Sequence, residues 1–104
     1  MKNVLFVFAA ALAATACGAA AAQQAPAPGS PVYYAAANCA NCHGTDGRAT
    51  SDHSPLAARE RADIETALLE FKSGARAGTI MNQLAKGYSD DELKAFAAYF
   101  AAQQ

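Results

Sequence analysis

The sequence predicts an all-α fold of short helices. Apolar residues recur at helical spacing twice, as Ile64, Ala67, Leu68, Phe71 and again as Leu93, Phe96, Ala97, Phe100. No alternating strand pattern and no internal repeat runs through the segment from Pro31 to Gln104. Ser89-Asp90-Asp91-Glu92 has the form of a capping box. Ser89 can accept from free backbone N–H groups and Glu92 can reach back to them. The acidic side chains also suit the positive end of a helix dipole.

The chain opens with Met1-Lys2-Asn3-Val4-Leu5-Phe6-Val7-Phe8 and continues through small apolar residues to Ala16. One positive charge, an apolar middle and a small-residue end are the parts of a secretory signal peptide, placed here at 1–16. The apolar run is shorter than the ~20 residues a membrane span needs. Ala14-Thr15-Ala16-Cys17 resembles the lipobox of bacterial lipoproteins, with Ala14 where Leu is usual. Two outcomes stay open. Either Cys17 becomes a lipidated first residue, or cleavage among Ala19 to Ala22 discards it. Gly18 in place of Asp leans a lipidated product toward the outer membrane, held there by several acyl chains.

Residues 17–30, including the run AAAAQQAPAPGS, carry no charge and no large apolar side chain. They cannot bury a core and read as a flexible tether, on the order of 20 Å in span. The folded domain is placed at 31–104. A first helix is expected over Val32 to Cys42, with loop chemistry at Gly44, Asp46 and Gly47. Gly74 should stop the helix that carries Phe71. Ile80, Met81, Leu84 and Ala85 form a short apolar turn or helix closed by Gly87.

The charge balance is weak. Without Lys2 the count is seven basic against nine acidic side chains. That argues against nucleic acid, which needs a basic face. Lys72, Arg76, Lys86 and Lys94 read as a solvated surface in preference to a docking patch.

A domain this small has a marginal core, and its three cysteines offer no disulfide framework. A large apolar cofactor would supply the missing core. Cys39-Ala40-Asn41-Cys42-His43 is the attachment pattern for c-type haem. Two thiols one helical turn apart can add to the two vinyl groups of a porphyrin. His43 then lies beneath the ring with its imidazole toward the iron. A thioredoxin-like Cys-x-x-Cys would need a βαβ context that is missing here. A zinc site from Cys39, Cys42, His43 and His53 has the right ligand number, but adjacent Cys42 and His43 lack the usual spacing.

Met81 is the candidate second axial ligand. It is the only methionine left after processing, and a His/Met pair raises the haem potential. As core filler it would be ordinary; beside a haem motif, ligation is the stronger reading. His53 is the rival ligand, ten positions beyond His43, and reads as a surface histidine. A carbonyl near Ser54-Pro55 is a candidate acceptor for the His43 Nδ1–H, the bond that fixes a ligand imidazole.

These residues resemble the class I cytochromes c of bacteria. The likeness includes short periplasmic domains such as the haem subunit of flavocytochrome c sulfide dehydrogenase. It runs through Cys39 to Gly47, Leu56-Ala57, Phe71 to Arg76, Met81, Ala85 to Leu93 and Ala97 to Phe100. It implies a small cytochrome c fold around one covalently attached haem c. The thioethers would form at Cys39 and Cys42, with His43 and Met81 axial. First and last helices would cross near one haem edge, with Tyr33, Phe96 or Tyr99 there. One departure stands out: Ser54 and Ala58 occupy places where the family usually has Pro and Gly.

The expected function is single-electron transfer in the periplasm, between dehydrogenase donors and oxidase or reductase acceptors, with no enzyme activity of its own. The alternative is a permanent haem subunit of a dehydrogenase. A sensor or peroxidase would need an open iron site.

Overall fold

Helix α5 (Asp90–Ala101) is the floor on which the other elements rest. Its start is the expected capping box. Ser89 Oγ accepts from the Glu92 N–H at 3.2 Å, and Glu92 Oε2 accepts from the Ser89 N–H at 2.7 Å. Leu93 and residues 96–100 are all buried. This is wider than the stripe read from the sequence, because α5 is covered by both α1 (Pro31–Ala37) and α3 (Arg61–Ser73). A helix with partners on several sides buries more than one face.

The computed structural model describes residues 24–50 and 52–103. The expected signal peptide, Cys17 and the tether up to residue 23 lie outside the described residues. Among the described residues no helix is long and apolar enough to cross a membrane.

Helix α1 (Pro31–Ala37) begins where Ser30 Oγ accepts from the Tyr33 N–H at 3.2 Å. Pro31 sits in the first turn, where its missing N–H costs nothing. Ala36 is the buried residue of α1 and belongs to one cluster with Ala97, Phe96, Tyr99 and Phe100. Small residues at this crossing let the two backbones approach.

The helix expected over Val32–Cys42 is in fact two pieces. Helix α2 (Ala40–His43) follows α1 after a turn at Asn38 and Cys39. The turn is tightened by i→i+3 bonds from Asn38 to Ala35 and from Cys39 to Ala36, both 3.1 Å. The Asn41 side chain donates to the Asn38 carbonyl at 3.1 Å. Asparagine offers the backbone such local partners in place of helical ones, and the helix breaks there.

A short 3₁₀ turn at Thr45–Gly47 comes next, then an irregular loop, then α3 (Arg61–Ser73). Helix α3 ends at the left-handed Gly74, as expected. Helix α4 (Met81–Lys86) packs against α3 and buries Ala85. The described residues are helix, turn and loop, with no strand.

Candidate haem site

One wall of a cleft of about 640 Å³ is made by Cys39, Cys42 and His43. Met81, Ile80 and Leu84 line it from α4, Leu68 and Phe71 from α3, and Leu93, Phe96 and Phe100 from α5. The four site residues expected from the sequence therefore meet in one cavity.

Local folding sets the thiol wall. Cys39 lies in the turn before α2 and Cys42 within it, one helical turn apart. The His43 N–H donates to the Cys39 carbonyl at 2.9 Å, so the three side chains are held by one backbone turn. Cys39 is half-buried and Cys42 exposed, and they form no disulfide with each other. Burial pushes the Cys39 thiol up, and the neighbouring Cys42 adds to this against a backbone hydrogen bond that lowers it.

His43 Nδ1 is 2.7 Å from the Ser54 carbonyl oxygen. A carbonyl only accepts, so Nδ1 carries the proton and Nε2 keeps its lone pair for a metal. The orienting carbonyl is therefore that of Ser54, at the place where the resembling family has proline. The loop is clipped to make this possible. The Gly47 carbonyl accepts from Leu56 N–H at 2.8 Å and Ala57 N–H at 3.1 Å, which closes residues 48–55 back onto the motif. Gly47 itself has φ 76, and a Cβ there would lie 2.7 Å from Phe100 Cδ1 and 3.0 Å from Leu56 Cβ. Any side chain would crowd the Phe100 ring and the Leu56-Ala57 stretch.

His53 is exposed, and its ring lies 6.0 Å from that of His43, nearly perpendicular to it. It lines the same cleft as His43 and Met81. Among the described residues no group of three or more His, Cys, Asp and Glu side chains forms a metal-holding cluster. The zinc alternative therefore has no geometry behind it.

Two contacts were not legible in the sequence. Asp46, at φ 54, accepts from the Tyr99 hydroxyl at 2.9 Å, which ties the motif loop to the end of α5. Asp46-Gly47 signals a left-handed turn, but nothing local points to a partner 53 residues away. The second is Asn82, whose amide donates to the Phe71 and Arg76 carbonyls, both at 2.9 Å. Of the aromatic residues expected at the crossing of first and last helices, Phe96 lines the cleft. Tyr33 and Tyr99 instead meet edge to face, 5.5 Å apart. Lys72 and Arg76 are paired within the chain, to Asp90 at 2.7 Å and to Glu70 at 2.8 Å.

The cleft fits a haem. Its volume is within the ~300–1,000 Å³ of ligand sites and its lining is mostly apolar. Ile80 is 59% exposed and Leu84 48% exposed beside Met81, an apolar rim suited to a flat apolar body. A family model described as Cytochrome c matches residues 26–103.

The chain belongs to the cytochrome c family.

Its cofactor is accordingly a covalently bound haem c. The cytochrome is 44% identical over 63 residues to the cytochrome subunit of sulfide dehydrogenase from Chlorobaculum tepidum, matching 61% of this chain and 57% of that one. It is 39% identical over 66 residues to cytochrome c-553 of Helicobacter pylori, covering 62% and 69% of the two chains. It is 40% identical over 70 residues to the thiosulfate dehydrogenase electron acceptor of Stutzerimonas stutzeri, covering 65% of this chain but 32% of that one. The cytochrome thus spans little more than half of the sulfide dehydrogenase subunit and about a third of the thiosulfate dehydrogenase acceptor.

Proposed function

We propose that this cytochrome is an exported single-electron carrier whose haem c is linked to Cys39 and Cys42 and held axially by His43 and Met81. The convergence of two thiols, an oriented imidazole and one thioether on a single apolar cleft carries this reading. When bound, haem c supplies one-electron chemistry at iron. The chain's own residues do the rest. The Ser54 carbonyl keeps His43 in the Nδ1–H tautomer and presents Nε2. Leu68, Phe71, Leu93, Phe96 and Phe100 exclude water from the cleft, which lowers the local dielectric. Met81 offers a soft sulfur that favours the reduced metal and raises the potential. His43 and Met81 would together hold the iron and leave no place on it for a substrate, and the haem would supply one-electron chemistry.

The domain boundaries belong to the same reading: a signal peptide at 1–16, a tether at 17–30 and the cytochrome domain from 31 to 104. Export to the periplasm follows from the signal peptide. Lipidation of Cys17 would hold the protein at a membrane surface, at the end of the tether. The partners are redox proteins, a dehydrogenase as donor and an oxidase or reductase as acceptor. One observation favours a second reading. The similarity to a subunit named for sulfide dehydrogenase supports permanent docking on a dehydrogenase of that kind.

The test is the visible spectrum of protein made in a host that attaches c-type haem. Haem that resists acid-acetone extraction, with the weak far-red band of methionine–iron ligation when oxidised, is the expected result. Rapid carbon monoxide binding by the reduced protein, without that band, would overturn the Met81 assignment and point to a sensor or peroxidase.

A further inference from the structure

We infer that Asn82 is a positioning residue that holds Met81 in place over the haem cleft. The inference rests on the reading of Met81 as an axial ligand and extends it to what fixes the sulfur.

Helix α4 has little to hold it by itself. It has six residues, and Ile80 at its start makes no side-chain cap. Helices this short are not self-supporting. The segment leading into it, residues 74–80, is exposed at every position. Met81 therefore sits at the junction of an exposed loop and a weak helix, a poor place for a ligand that must stay put.

Asn82 supplies the missing anchor. Its Nδ2 donates to the Phe71 carbonyl and to the Arg76 carbonyl, both at 2.9 Å. Both partners are acceptors, so chemistry fixes which amide atom is the nitrogen. The Phe71 carbonyl is in the last turn of α3, where helix carbonyls lack an i+4 donor. The Arg76 carbonyl belongs to the exposed loop. One amide, with both hydrogens used, thus ties the end of α3, the loop and the start of α4 together.

The surroundings leave no slack. A Cβ on Gly78 would lie 2.8 Å from Phe71 Cε1 and 3.0 Å from Asn82 Oδ1, so the loop backbone rests directly on this pair. Arg76 is held by Glu70 and lies over the Phe71 ring, 5.6 Å from its centre. Phe71 and Met81 line the cleft, whereas Asn82 does not. Asn82 therefore acts on the metal only through its neighbour.

The experiment compares haem-loaded Asn82→Ala and Asn82→Asp with the parent, Met81→Ala and Ser89→Ala. Asn82→Asp keeps the shape and removes both donors. Three readouts are taken: the far-red band of the oxidised protein, the rate of carbon monoxide binding to the reduced protein, and the melting temperature. Both Asn82 variants are expected to weaken the band and to bind carbon monoxide roughly ten-fold faster, a change of about 1.4 kcal/mol in the Met81-bound state. Ser89→Ala, which removes a cap of α5 and takes no partner from Asn82, should lower the melting temperature and leave the band and the rate unchanged. Asn82 variants with parental band and rate, while Met81→Ala loses the band, overturn the inference and leave the ligand assignment standing. A band that survives Met81→Ala removes the ligand assignment itself, and the inference with it.

Discussion

Ala58 is held at φ 57, the left-handed region in which a Cβ crowds its own backbone. It lies in the stretch that brings the Ser54 carbonyl to His43, at the place where the resembling family has glycine. Ala58→Gly is expected to stabilise the cytochrome by about 1 kcal/mol, read as a higher urea midpoint with an unchanged slope. Tyr99 bears on the same motif from the other end. Burial first, then the Asp46 carboxylate it bonds to, push its phenol up from the ordinary 10 to about 12. The folded state therefore keeps the Tyr99 proton where the unfolded chain releases it. The stability this contributes is complete below pH 10 and is lost as pH rises toward about 12. Tyr99→Phe should cost roughly 2 kcal/mol at neutral pH, the value of a hydrogen bond to a charged group. It should also flatten the loss of stability between pH 10 and 12, measured by denaturant titration at each pH. At this scale the sequence singles out the candidate haem residues and narrows the carbonyl that orients His43 to the stretch near Ser54-Pro55. Cys39, Cys42, His43 and Met81 are chemically distinctive wherever they fall. The Ser54 carbonyl is generic backbone, and only the folded loop selects it over its neighbours.

Elements differed in legibility according to how local their signals are. Helix α5 could be read to its first residue, because Ser89 and Glu92 cap each other within four positions and its apolar stripe is regular. Ser89→Ala removes one half of that box and should cost about 1 kcal/mol, visible as a lower thermal midpoint. The Lys72 ammonium beside Asp90 also holds that carboxyl below the usual range. Its small contribution is present above the ordinary carboxylate range and fades as pH falls through the depressed value. The break between α1 and α2 was not read. An alanine-rich stretch favours helix throughout, and the local bonds of Asn38 and Asn41 decide against it only once the cysteines must face the cleft. Gly47 joins two elements. With a positive φ and Phe100 Cδ1 2.7 Å from where a Cβ would stand, Gly47→Ala must shift the Phe100 ring or the motif loop. The expected result is a loss of roughly 2–3 kcal/mol, typical of overpacking combined with backbone strain, with a weaker haem yield on expression.

At the scale of the whole molecule the cofactor is a part of the core. The side chains that are buried without it cluster along α5, as Ala36, Ile64, Leu93, Phe96, Ala97, Tyr99 and Phe100. Helix α4 instead turns Ile80 and Leu84 outward at 59% and 48% exposure, beside the cleft they line. A domain this small gains little from its own burial, and apolar side chains of both α3 and α4, such as Leu68, Phe71 and Leu84, line the cleft. The side of α5 that meets α1 and α3 has a built interior; the exposed rim at Ile80 and Leu84 would acquire one when the haem is attached. The chain with Cys39→Ser and Cys42→Ser, which cannot form either thioether, should therefore not unfold as the haem-loaded protein does. Its α1–α5 pairing should keep much of the far-UV signal. The near-UV signal should be weak, the dye response to exposed apolar surface strong, and the denaturant transition broad, the marks of secondary structure without fixed packing. Amide exchange separates the two regions. Protection should persist at Leu93 to Phe100 and be lost across residues 74–86. A sharp two-state transition with uniform protection in the double variant would show that the helices hold one another without the haem, and that the sequence specifies the fold on its own.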